Sequence, residues 1–160
     1  MSYLKLASTL LVVIINFAAA PGRAQSPAGV PLPPDLSIVT PSDTLPPQVR
    51  QFSGKRFGTY SQSALDHVLV VEDIRSPDEV IAVYANGTSR VFSNLKAAWS
   101  RVTGKIDSTG LSLRLQSGAA VTYQLQPDGT LAGTYSLPGG FRGQTTVSKI
   151  TMSRSKDQAN

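Results

Sequence analysis

Between Gly54 and Met152 the chain is a succession of short β-branched or alternating runs, and apart from an irregular stretch after the third run the links between them are too brief for parallel crossovers. The runs are KRFGTYS, DHVLVVEDIR, EVIAVYANG, SRVTGKIDS, LSLRLQS, AVTYQLQ, TLAGTYS and TTVSKITM. The links include STG (108–110), SGA (117–119), PDG (127–129) and PGGFRG (138–143). Parallel neighbours need a dozen or more connecting residues, so such links join antiparallel strands. The sharpest hairpin signal is LQPDGTL.

Alternation assigns faces. Leu111, Leu113 and Leu115 share one face, and Val121, Tyr123 and Leu125 repeat it on the next strand. In the second and third runs apolar groups fall on both faces, as Val68/Val70 and Leu69/Val71 do in the second. A second cover is therefore required: the N-terminal arm, the 88–98 segment or another subunit. SPDE (76–79) is a capping box with proline at the first helical position. Val80–Tyr84 and the turn pair Asn86-Gly87 nevertheless favour a strand. The one helix expected is short, SNLKAAW (Ser93–Trp99).

About eight strands in up-and-down order, with one inner face, predict an all-β antiparallel barrel over 51–152. A two-sheet sandwich is the alternative. At this strand number the lumen holds side chains or one small ligand. GKRFGTYS near the domain start and DGTLAGTYS resemble the small eight-stranded barrels of the lipocalin, fatty-acid-binding and avidin (calycin) group. The text between Gly54 and Met152 is also similar to accessory β-domains of secreted bacterial proteins. That resemblance implies binding of a small molecule inside the ring.

The flanks differ. Residues 1–24 read as a signal peptide: Lys5, an apolar run Leu6–Phe17, then small residues with Gly22 and Ala24 placed for cleavage after Ala24. The apolar run is too short for a membrane span, so none remains once the signal is removed. Residues 25–50 carry seven of the eleven prolines and read as an extended arm or linker, in which DLSIV (35–39) can dock on the domain. Residues 153–160 form a polar tail. Export from a bacterial cell, to the periplasm or the medium, fits a chain without cysteine, which must rely on its apolar core alone.

Composition excludes several chemistries. Loss of Lys5 and Arg23 lowers the net charge from +5 to +3, and the remaining bases are scattered, so nucleic acid is not an expected partner. One histidine and no cysteine give no zinc or EF-hand pattern, and no cofactor is expected. SGKR (53–56) is not a phosphate loop, and no G-x-S-x-G elbow occurs. His67 shares parity with Asp73, and Asp66 with Glu72, but each pair is about 20 Å apart along one strand. No catalytic constellation can be assigned.

The aromatics carry the better lead. Tyr60, Tyr84, Tyr123 and Tyr135 fall on four strands and Trp99 opens a fifth. Tyr135 aligns with Leu131 and with Gly133, whose missing side chain leaves room. Arg101 shares parity with Trp99 and is placed to meet an anionic head group at the mouth. Apolar walls with a few hydroxyls describe a ligand cavity, although tyrosines also simply fill cores. The expected function is non-enzymatic binding of a small apolar or amphiphilic molecule by Tyr60, Tyr84, Trp99, Arg101, Tyr123 and Tyr135. The alternative is an interaction module, engaging an envelope protein or a second copy through strands 2 and 3 and the arm.

Overall fold

The computed structural model describes residues 29–155. The expected signal peptide, the start of the arm and the end of the tail lie outside that range. Eight strands follow in order: β1 (Gly54–Tyr60), β2 (Leu65–Ser76), β3 (Glu79–Asn86), β4 (Ala98–Asp107), β5 (Gly110–Arg114), β6 (Ala120–Leu125), β7 (Leu131–Leu137) and β8 (Thr146–Arg154). Each pairs antiparallel with the next, and β8 returns to β1 through Arg56↔Arg154 and Phe57↔Ser153. The chain is thus a closed, all-β, up-and-down barrel rather than a sandwich. Closure joins the two ends of the sheet through a short seam of two paired positions.

The lumen is filled as alternation dictates. Leu69, Val71, Val80, Ala82, Leu111, Leu113, Val121, Tyr123 and Leu131 form one buried cluster, with Leu115 and Leu125 packed at its margin. The SPDE segment does not start a helix; β3 begins at Glu79. A β-bulge between Val71 and Asp73 opposes three residues of β2 to two of β3. Parity breaks there: Asp73 pairs with Ile81, on the outward face shared with Val83, and no longer follows His67.

The Pro-rich segment is part of the fold rather than a tether outside it. Val30, Leu32, Leu36 and Ile38 alternate onto the outer face of β2 and β3, over Val68, Val70, Val83 and Ala85, all fully buried. The second apolar face is therefore covered by the chain itself. Val39 donates its N–H to the Glu72 carbonyl at 2.7 Å, and Arg101 on β4 bridges Glu72 and Asp35 of the arm. The arm then turns into a short helix, α1 (Pro47–Arg50), with proline in its first turn. Missing backbone donors cost nothing there, which is why a proline pair can open a helix. Val49 and Phe52 enter the inner cluster and close one end of the barrel. Arg56, inside β1 and almost fully buried, ties this plug down through the carbonyls of Gln51 (2.7 Å) and Gly129 (2.8 Å).

The helix expected over Ser93–Trp99 is absent. Residues 87–97 form a loop, and Ala98 and Trp99 already belong to β4, opposite Asn86 and Ala85. The Ser89 hydroxyl explains the choice. It donates to the Ser63 carbonyl at 2.5 Å and accepts from the N–H groups of Val91 and Phe92, while Ser89 N–H takes the Leu95 carbonyl. Loop and strand consume the backbone groups that a helix would use. At the other terminus β8 runs on to Arg154, and Ser155 N–H bonds the Lys55 carbonyl.

Candidate functional site

With α1 plugging one end, the space inside the ring lies at the other, where β1 leaves and β2 and β4 enter. A cavity of about 360 Å³ sits there, between the 61–64 turn, the 87–97 loop and the ends of β7 and β8. Tyr60, Tyr84 and Tyr135 line it with Leu65 and Leu137; Phe92 and Leu95 lean in from the loop. Asn86, Gln62, Ser63, Thr146 and Ser148 supply polar atoms, and no lining side chain is ionic. Larger hollows lie on the exterior, lined by outward residues such as Thr134, Lys149 and Thr151, or beside α1.

Behind the tyrosines stands His67, fully buried and absent from the lining. Its Nδ1 faces the Ala85 carbonyl at 2.8 Å and Asn86 Oδ1 at 2.9 Å, both acceptors, so Nδ1 carries the proton. Nε2 is then the acceptor for the Tyr123 hydroxyl at 2.8 Å. The Tyr60 and Tyr84 hydroxyls lie 3.4 Å apart, with their rings tilted on the imidazole at centroid distances of 5.6 and 4.3 Å. The result is one polar cluster at the base of an apolar cavity.

Its electrostatics are those of a neutral site. Burial pushes the His67 imidazolium down to about 4, against partial support from Asn86 and Ala85. Burial also raises the tyrosine hydroxyls Tyr60, Tyr84 and Tyr123 above their ordinary range. At neutral pH the imidazole is uncharged and each phenol keeps its proton. Both ring nitrogens of His67 are engaged, and among the described residues no carboxylate is bonded to it. Among the described residues no group of histidine and acidic side chains is placed to hold a metal ion.

Of the six residues expected to bind ligand, the fold brings Tyr60, Tyr84 and Tyr135 to the cavity. Tyr123 is on the inner face but beneath the site, holding His67. Trp99 and Arg101 are corrections. Both point outwards from β4, since its inner residues are Val102 and Ile106; Trp99 is 41% exposed and Arg101 is engaged by Glu72 and Asp35. The parity argument linked them correctly but assigned them to the wrong face. Gly133 leaves no room for ligand either: a methyl there would meet Ile150 Cγ2 at 2.6 Å and the Tyr123 ring at 3.0 Å.

Sequence reasoning missed His67 as the centre of the cluster, and Asn86, Phe92 and Leu95 as lining. Asn86-Gly87 was legible only as a turn. The signal for His67 was its position: at the same parity as Leu65, Leu69 and Val71, it shares their inward face. Comparison with known proteins gives no match among protein-family models, curated proteins or solved structures.

Proposed function

We propose that this chain is an exported, non-enzymatic barrel that binds one small, uncharged, partly apolar molecule in the cavity at its open end. The observation that carries the reading is the lining: leucine and phenylalanine walls, tyrosine hydroxyls and the Asn86 amide at the base, and no ionic side chain. An isolated charge entering such a site loses its hydration without a partner, so the ligand is neutral. Its polar end meets Tyr60, Tyr84 and Asn86, and its apolar body lies against Leu65, Leu137 and Phe92. A volume of this size takes a drug-sized or smaller molecule.

The barrel's resemblance to lipocalin, fatty-acid-binding and avidin-like proteins is consistent with this reading, and the pattern of residues 1–24 supports export to the periplasm or medium. Against catalysis stands His67, which is buried with both nitrogens occupied. Native mass spectrometry of the protein as purified, and after exposure to a neutral lipid extract, tests the proposal. The parent retains a bound neutral mass. Leu137→Trp fills the cavity and loses it with the melting temperature unchanged. Failure of the parent to retain any such mass overturns the reading.

A further inference from the structure

The two ends of the barrel differ in where their acidic residues fall as well as in closure. The loops at the open end are 61–64, 87–97, 115–119 and 138–145, and none contains an aspartate or glutamate. They carry Arg90, Lys96 and Arg142, all exposed. The nearest acid, Asp66 on β2, is already held by Arg90 at 2.8 Å. At the plugged end the hairpins carry Asp78, Asp107 and Asp128. The open end also has the barrel's most exposed apolar loop: Val91 is 59% exposed, Phe92 47% and Leu95 38%. Two of these, Phe92 and Leu95, line the cavity on their other side.

Exposed apolar side chains of this size cost free energy in water unless something covers them. Whatever covers this loop also sits over the entrance to the cavity. A lipid surface meets both requirements: its acyl boundary accepts Val91, Phe92 and Leu95, and its anionic headgroups accept the cations on the same loops. The absence of carboxylates there removes the repulsion that would oppose it. A bilayer is also a store of neutral, partly apolar molecules.

We propose that the open end of the barrel docks on an anionic lipid bilayer, with Val91, Phe92 and Leu95 entering the headgroup layer and the exposed cations of the same loops, Lys96 foremost because Arg90 is shared with Asp66, facing lipid phosphates. The contact presents the cavity entrance to the membrane, and the protein takes up its ligand there. The direction of transfer rests on the ligand reading above; the docking itself does not.

The single tryptophan is a native reporter, because Trp99 lies directly after the loop on the outer face. Protein from expression of the full chain, with its intact mass recorded, is titrated with vesicles of phosphatidylcholine alone and of phosphatidylcholine with phosphatidylglycerol. Co-sedimentation and Trp99 emission are followed, and variants are compared with the parent in the same processing state. Anionic vesicles are expected to bind at least about tenfold tighter, with a blue shift that fades at high salt. Lys96→Glu is expected to lose about fivefold or more, the worth of one surface cation. Phe92→Ser is expected to lose about tenfold, and Val91→Ser, more exposed still, gives the same direction should the first variant misfold.

Equal binding to both vesicle types, or loop variants that bind like the parent, overturns the proposal, as does retention of an envelope protein by a chain that ignores vesicles. Leu137→Trp, followed by co-sedimentation because it adds a second tryptophan, separates the two readings. Vesicle binding without ligand sinks the cavity proposal alone, and ligand without vesicle binding sinks the docking alone.

Discussion

Tyr123 on β6 and His67 on β2 meet across the lumen, their ring planes within 5° of parallel and the phenol hydroxyl 2.8 Å from Nε2. The two strands are four apart in the ring, so this bond braces opposite walls just below the cavity. It also fixes the imidazole in its neutral, Nδ1-protonated form.

Acid should therefore weaken the barrel at a pH above that at which Asp35, Asp66, Asp107 and Asp128 lose their charge. The folded state holds His67 near 4 against an ordinary value of 6.5. As the pH falls through that window the unfolded chain takes up a proton that the folded chain refuses. Stability is fully present above the upper value and declines by about 3 kcal/mol towards the lower one. Asp35, Asp66, Asp107 and Asp128 are held below their ordinary 3.8, so their losses come at lower pH. Urea midpoints measured between pH 7 and 4.5 should fall in the parent and stay nearly flat in His67→Gln.

Removing the Tyr123 hydroxyl leaves Nε2 buried without a donor. Tyr123→Phe should cost about 1–3 kcal/mol, the penalty for an orphaned buried acceptor. A double-mutant cycle with His67→Leu should recover part of that loss, because the apolar pair needs no hydrogen bond. An additive cycle would mean that the two side chains do not interact.

Gly133 is an overpacking probe. A methyl at this position meets Ile150 and the Tyr123 ring at 2.6 and 3.0 Å, so Gly133→Ala should destabilise by about 1–3 kcal/mol. Ile150→Ala removes the Cγ2 methyl from the crowded contact. In the Gly133→Ala background it should return some stability, where alone it costs about 2–5 kcal/mol.

The arm is held by half-buried apolar side chains and the Arg101 bridge. Leu36→Ala should cost about 1–2 kcal/mol by uncovering Val68, Val70, Val83 and Ala85. Amide exchange should show the Val39 N–H, bonded to Glu72, losing protection ahead of β6 and β7. Loss of protection in all strands at once would mean that the arm and ring unfold as one unit.

Local rules decided much of the ring. Short alternating runs with three- to six-residue glycine links admit only antiparallel neighbours, and the double apolar faces of β2 and β3 announced a second cover. Tertiary structure chose that cover: the arm, whose Val30, Leu32, Leu36 and Ile38 have strand periodicity but no signal for the surface they meet. The helix went to Pro47–Arg50 instead of Ser93–Trp99 because β3 needed a partner as far as Asn86 and the Ser89 hydroxyl claimed the loop's backbone.

By itself the sequence determined strand number, order and most of the inward and outward alternation, because these follow from neighbours two residues apart. Its parity rule failed at the bulge after Val71, where one extra residue resets the faces, and could not say which face of β4 looked inwards. The tyrosines were legible as an aromatic set. Only closure of the ring decided that Tyr60, Tyr84 and Tyr135 converge on a cavity, that Tyr123 reaches His67, and that Trp99 and Arg101 stand outside. Contacts between residues dozens of positions apart depend on strand tilt and register around the whole barrel, and no local window of residues contains that information.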